Sequence, residues 1–218
     1  RAIHLIPRMV ERRLALRPKP ARRLPSLRSF FGGGKKTKTL DGFNIIDGEL
    51  VPISPRIFRD QPRRLMRGFL HAHQRGLEFH PDLTQLLRDN VSLVDDDFVH
   101  DTENHETFLE ILNQRGNVAP ALRAMHEVDL LGRYIPEFGR MTCLVQHEFF
   151  HAYAADEHTL VCLEKLDQVW DAAQPPFAHY THILQDIALP YLLYLALFLH
   201  DAGKGMESGD HVRDGMAI

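Results

Sequence analysis

The stretch PYLLYLALFLHDAGKG, residues 190–205, decides how this chain is read. Ten almost wholly apolar residues are followed at once by His200 and Asp201, then by Gly203, Lys204 and Gly205. An apolar run of this length at helical spacing predicts a central helix buried on all sides, its C-terminal end delivering His200 and Asp201 to a polar pocket. Gly203 suits the helix end. Working outward, His158 lies 42 residues before His200, at the start of another predicted helix, Asp156 to Trp170. His211 follows in Gly209-Asp210-His211.

Imidazole and carboxylate together suit a divalent ion, with manganese or magnesium expected here. His158, His200 and Asp201 are the candidate metal ligands. Asp156 is positioned to cap its helix or to orient His158. A bound ion polarises a phosphoryl oxygen and activates water. Lys204 is placed to neutralise phosphate charge, and His211 to act as a second ligand, a phosphate contact or a general acid. Asp201, Lys204 and His211 are therefore the candidate catalytic residues. A separate match, His147-Glu148-Phe149-Phe150-His151, has the H-E-x-x-H spacing of zinc proteases. That reading requires a third ligand downstream on an unbroken helical frame, and the surrounding segment fits phosphoester chemistry better.

The rest of the chain predicts a mainly helical, all-α fold with one short β-hairpin. Phe43 to Ile53 is the hairpin, turned at Asp47-Gly48. Helices are expected over Pro62–Arg75, from His80-Pro81-Asp82 to Leu87, over Glu103–Gln114 and over Val118–Leu131, the last capped by Asn117. Ala2–Leu16 is also helical in spacing, and Arg17–Lys38 reads as a Gly/Pro-rich linker. Gly32-Gly33-Gly34 beside Lys35-Lys36 lacks the spacing and the Ser/Thr of a P-loop. The expected organisation is a basic helix and linker (1–40), a helical middle domain carrying the hairpin (41–140), and the start of a metal-site helical domain (141–218).

Charge is unevenly placed: residues 1–40 carry a balance of +11 and the remainder −14, for a net −3. The basic segment lacks the interleaved aromatics of a single-strand nucleic-acid binder, so packing or linking to acidic protein surface is the simpler expectation. Two cysteines, Cys143 and Cys162, offer neither a disulfide framework nor a C-x-x-C zinc motif. A reducing, cytoplasmic compartment is expected, with no membrane association, since the most apolar stretch is too short for a span. The chain begins with Arg1 and reads as an internal piece of a longer protein.

Residues 150–160 (FHAYAADEHTL), 197–205 (LFLHDAGKG) and 209–211 (GDH) together resemble the bifunctional PII uridylyltransferase/uridylyl-removing enzymes. Residues 131–138 (LGRYIPEF) resemble the segment that precedes these motifs in that family. The resemblance implies a nitrogen-status enzyme with the PII signal protein as partner and UTP/UMP as nucleotide. In such an enzyme one domain adds UMP to a PII tyrosine, an HD domain removes it by hydrolysis, and ACT domains sense glutamine. It implies His158, His200 and Asp201 as metal ligands, Lys204 as a phosphate contact, His211 as a further active-site residue and His151 as a structural one. By itself the chain is expected to show little or no activity. Two other readings stay open: another HD-type nucleotide phosphohydrolase, and a non-catalytic helical interaction module.

Overall fold

The computed structural model describes residues 38–144 and 154–205, all within one compact unit that starts at Lys38. It opens with a small sheet in the order β1 (Lys38–Leu40), β2 (Phe43–Ile46), β3 (Glu49–Pro52), β4 (Glu78–Phe79). The first three strands form an antiparallel meander, and β4 joins β3 in parallel, with Leu50 opposite Phe79. The expected hairpin is present as β2–β3, but it is half of a larger sheet. Both meander turns use the same chemistry. Asp41-Gly42 and Asp47-Gly48 all have positive φ, the backbone twist that suits a two-residue hairpin loop. Lys38–Leu40 is therefore strand rather than the tail of a linker.

The helices that follow bury one face against this sheet. In α1 (Ile57–Asp60) and α2 (Arg64–Arg75), Ile57, Phe58, Leu65, Met66, Phe69 and Leu70 enter the core. Helix α2 stops at Gly76, whose left-handed φ of 60° lets its amide reach the last carbonyls. Pro81 starts α3 (Pro81–Asn90), and the His80 ring accepts from the Asp82 amide. After the short α4 (Asp96–Val99), Asp101 caps α5 (Thr102–Leu112) by accepting from the Glu103 and Asn104 amides. The Arg63 guanidinium donates to the same carboxylate at 2.8 Å, and this hydrogen bond holds Asp101 below the usual carboxylate range.

The long helix expected over Val118–Leu131 is two. Helix α6 (Ala119–Glu127) ends before Asp129, which takes a φ of 66°, and α7 (Leu130–Tyr134) starts afresh. Nor does Asn117 cap α6. Val118 holds the cap position, and the amides of Val118 and Ala119 donate to Asp167 Oδ1 and Oδ2 at 3.0 and 2.8 Å. A carboxylate from α9 (Ala155–Trp170) thus does by tertiary contact what the local residue was expected to do. Helix α7 crosses α8 (Pro136–Arg140) so closely that a Cβ on Gly139 would lie 2.5 Å from the Gly132 carbonyl oxygen. Only glycine fits there.

Helix α10 (Ala178–Gln185) and helix α11 (Pro190–Leu199) complete the described structure, followed by a 3₁₀ turn, Ala202–Gly205. The expectation that α11 is buried all round is corrected. Pro190, Tyr194 and Phe198 are buried, whereas Leu192 is 49% exposed and Ala196 is also exposed. Helices α5 and α9 pack on one side of α11, so only one stripe is covered. The buried stripe is anchored by Phe198, stacked on Phe138 with centroids 4.8 Å apart, and by Tyr194, whose hydroxyl donates to Asp167 at 2.6 Å. Among the described residues no single helix is long and apolar enough to cross a membrane, and α10 and the segment Pro190–Lys204 are bent 118° apart.

Two histidines of α2 make this core sensitive to acid. Burial pulls His73 below the usual histidine range against a weaker opposing pull from Asp167, and its Nε2 is buried without a hydrogen-bond partner. Burial likewise lowers His71, with Asp41 opposing. A histidine depressed in the fold takes up its proton more readily when unfolded, so its stability contribution is present above about pH 6.5 and is lost as pH falls below that value. Chemical denaturation at pH 7 and pH 5 should show the wild type less stable at pH 5. His73→Gln should show a smaller difference between the two, and an equal difference would remove His73 as a cause.

Candidate metal centre

The end of α11, the turn after it and the first turns of α9 bring together four of the residues singled out from the sequence. His158 and His200 both face one atom, Asp201 Oδ2, at 3.8 and 3.4 Å from their Nε2 atoms. The two rings lie 5.7 Å apart, centroid to centroid. Lys204 Nζ donates to the same oxygen at 2.7 Å. Asp201 is buried, and the Lys204 ammonium is the cation that meets its charge.

Local structure sets each direction. Helix α11 ends at Leu199, and the 3₁₀ turn at Ala202 folds Lys204 back over Asp201, with the Lys204 amide donating to the Asp201 carbonyl at 2.9 Å. His200 and Asp201 lie at the helix end itself, where two adjacent side chains, about 100° apart on a helix, can flank one point. His200 Nδ1 lies 2.6 Å from the Leu197 carbonyl oxygen. A carbonyl only accepts, so Nδ1 carries a proton and Nε2 is the nitrogen left to serve as a ligand atom.

Asp156 does not orient His158; its principal partners lie on the other side. It accepts from the Cys143 amide at 3.2 Å and pairs with His126 Nε2 at 3.3 Å. Burial pushes this carboxyl up, but the His126, Cys143 and Glu157 hydrogen bonds outweigh it and hold Asp156 below the usual range. Its role is to tie the chain at Cys143 to α9 and α6, and so to fix the start of the helix that carries His158. Beside it Arg123 of α6 bridges Glu157 and Glu164 of α9 at 3.0 and 2.6 Å.

One further residue joins the cluster. Cys162 Sγ lies 3.6 Å from His158 Nε2, and among the described residues His158, Cys162 and His200 present ligand atoms within 4.8 Å of one another. Burial, together with the Asp201 charge, pushes the Cys162 thiol up, with Lys204 opposing. Spacing alone carried the signal: His158 and Cys162 are four apart on one helix, hence on one face. Disulfide and C-x-x-C patterns do not reveal such a cysteine. His211, His147 and His151 lie outside the described residues.

Comparison with known proteins gives this geometry its setting. Residues 43–134 match the family model described as uridylyltransferase GlnD third domain. A bifunctional uridylyltransferase/uridylyl-removing enzyme of Cereibacter sphaeroides is 34% identical over 193 residues, 87% of this chain and 20% of that protein. The chain is homologous to a segment of the uridylyltransferase/uridylyl-removing enzymes. Enzymes of the same name from Azospirillum brasilense and Nitrosococcus oceani are 34% and 35% identical, over 81% and 79% of the chain. The chain spans about a fifth of the length of these relatives. The family model covers strands β2 to β4 and helices α1 to α7, against which α9 and α11 pack.

Proposed function

We propose that this chain carries part of the hydrolytic, uridylyl-removing half of a PII uridylyltransferase/uridylyl-removing enzyme. His158, His200 and Asp201 would hold a divalent ion, manganese or magnesium, and the bond cleaved would be the phosphodiester of uridylyl-tyrosine on the PII signal protein, releasing UMP. The observation that carries the reading is the convergence of His158, His200 and Lys204 on one carboxylate oxygen, Asp201 Oδ2. Two imidazole nitrogens and a buried carboxylate are a donor set that fits such an ion. The ion, when bound, supplies Lewis acidity at the phosphoryl oxygen and lowers the pKa of water.

The chain's own residues do the rest. Asp201 supplies the negative charge of the site. The Leu197 carbonyl orients His200 through Nδ1, leaving Nε2 for the ion. Lys204 now neutralises Asp201 at 2.7 Å. Released from that pair, its ammonium would be the cation available to oppose the charge that builds during phosphoryl transfer. His211 is kept as a further active-site residue, a phosphate contact or general acid. The same reading places the protein in the cytoplasm, where the free thiols Cys143 and Cys162 stay reduced.

The test uses the chain and a chimaera in which it replaces the matching segment of the Azospirillum brasilense enzyme. Manganese binding is measured by calorimetry and hydrolysis with uridylylated PII. Asp201→Asn should weaken manganese binding by more than the ~10–100-fold that loss of an outer partner costs, and should abolish hydrolysis by the chimaera. Full activity in Asp201→Asn would end the reading. Cleavage of free nucleotides but not of uridylylated PII would move it to a general nucleotide phosphohydrolase.

A further inference from the structure

We infer that Cys162 is an additional ligand of this centre, that it makes the site prefer zinc, and that zinc bound there shuts off the proposed hydrolysis. The inference rests on the metal reading above and adds to it the regulation of the same site.

His158, Cys162 and His200 present ligand atoms within 4.8 Å of one another, with Asp201 Oδ2 beside both histidines. Zinc–nitrogen bonds near 2.0–2.1 Å and zinc–sulfur bonds near 2.3 Å place neighbouring ligand atoms about 3.3–3.7 Å apart. The separations here are 3.6 Å from Cys162 Sγ to His158 Nε2, 3.8 Å from His158 Nε2 to Asp201 Oδ2 and 3.4 Å from His200 Nε2 to Asp201 Oδ2. The two histidines and the Asp201 carboxylate make a three-donor set, to which the Cys162 thiol adds a fourth donor. A hard ion such as magnesium or manganese gains little from sulfur and is held by the three-donor set. Zinc, already favoured over manganese by nitrogen donors, gains further from the thiolate.

The consequence follows from coordination number. Three protein donors leave a four-coordinate ion one open position, as catalytic sites require, whereas four donors close it. When zinc binds, the S–H bond of Cys162 breaks, the proton goes to solvent and the zinc–sulfur bond forms. Zinc also displaces Lys204 from Asp201 Oδ2. No oxidant or reductant is involved.

Cobalt(II) is the probe, since it reports both sulfur ligation and coordination geometry. The wild-type chain titrated with cobalt should develop a near-ultraviolet sulfur-to-cobalt band and intense visible bands of a tetrahedral ion. Cys162→Ser, checked for its fold by circular dichroism, should lose the near-ultraviolet band and bind zinc roughly tenfold or more weakly relative to manganese. Zinc added to the manganese-loaded chimaera should inhibit hydrolysis. Cobalt bound by the wild type without the sulfur band, yet released in His200→Ala, overturns the role of Cys162 and leaves the metal centre standing. Absence of any cobalt or manganese binding overturns both. Hydrolysis supported by zinc as well as by manganese overturns the shut-off.

Discussion

Phe198→Ala should destabilise the protein by about 3–5 kcal/mol, the cost of removing a fully buried aromatic side chain from a packed core. For a chain of this size that is a fall of roughly 6–20 °C in the thermal midpoint. Phe198 has no exposed surface, stacks on Phe138 at 4.8 Å and meets Phe108 edge-on at 6.4 Å. It also anchors the last turn of α11, which leads directly into His200 and Asp201 of the proposed metal centre. Manganese affinity should therefore fall in the same variant at temperatures where it is still folded. Phe198→Leu, which keeps much of the volume, should recover most of both losses. A midpoint shift of less than about 2 °C in Phe198→Ala would mean that α11 is not anchored as described.

Asp167→Ala should cost about 2–4 kcal/mol, since hydrogen bonds to a charged group contribute ~1.5–3 kcal/mol each and the freed donors are only partly rescued by water. This carboxylate accepts from the Val118 and Ala119 amides and from the Tyr194 hydroxyl, at 3.0, 2.8 and 2.6 Å. It is the point where α6, α9 and α11 are joined. Tyr194 in turn accepts from the Gly116 amide at 3.1 Å, and burial with the Asp167 hydrogen bond keeps its hydroxyl protonated far above the ordinary tyrosine range. Asp167→Asn keeps one accepting oxygen and should lose about half as much. If thermal melts of Asp167→Ala and wild type coincide, the α6 cap is supplied by other groups.

Much of this was legible beforehand because the signals are local. The Asp47-Gly48 turn, the amphipathic face of Arg64–Arg75, the proline starts at Pro81 and Pro190 and the pairing of His158 with His200-Asp201 all follow from residue type and spacing. What escaped was set by partners distant in sequence. Asn117 has the right chemistry for a cap, but Asp167 reaches the α6 amides from 48 and 49 residues away. Asp156 looked like a second partner for His158 and instead binds His126 and Cys143. Composition made α11 look central, yet burial depends on how many helices pack around it, and its Leu192 face is left exposed.

The amino-acid sequence by itself determined that this protein is mainly helical with a small β element, and it singled out His158, His200, Asp201 and Lys204 as candidates, which the structure brings together. Periodicity, turn residues and a His-Asp pair at a helix end are readable without knowing what packs where. Only the tertiary structure decided that Cys162 joins that group, that Lys204 closes on Asp201 through a 3₁₀ turn, and that Asp167 rather than Asn117 holds the start of α6. The physical reason is range. Hydrogen-bonding and ligand chemistry depend on distances of 3–4 Å between atoms, and between separate helices those distances are fixed by the packing of the core, which no local pattern encodes.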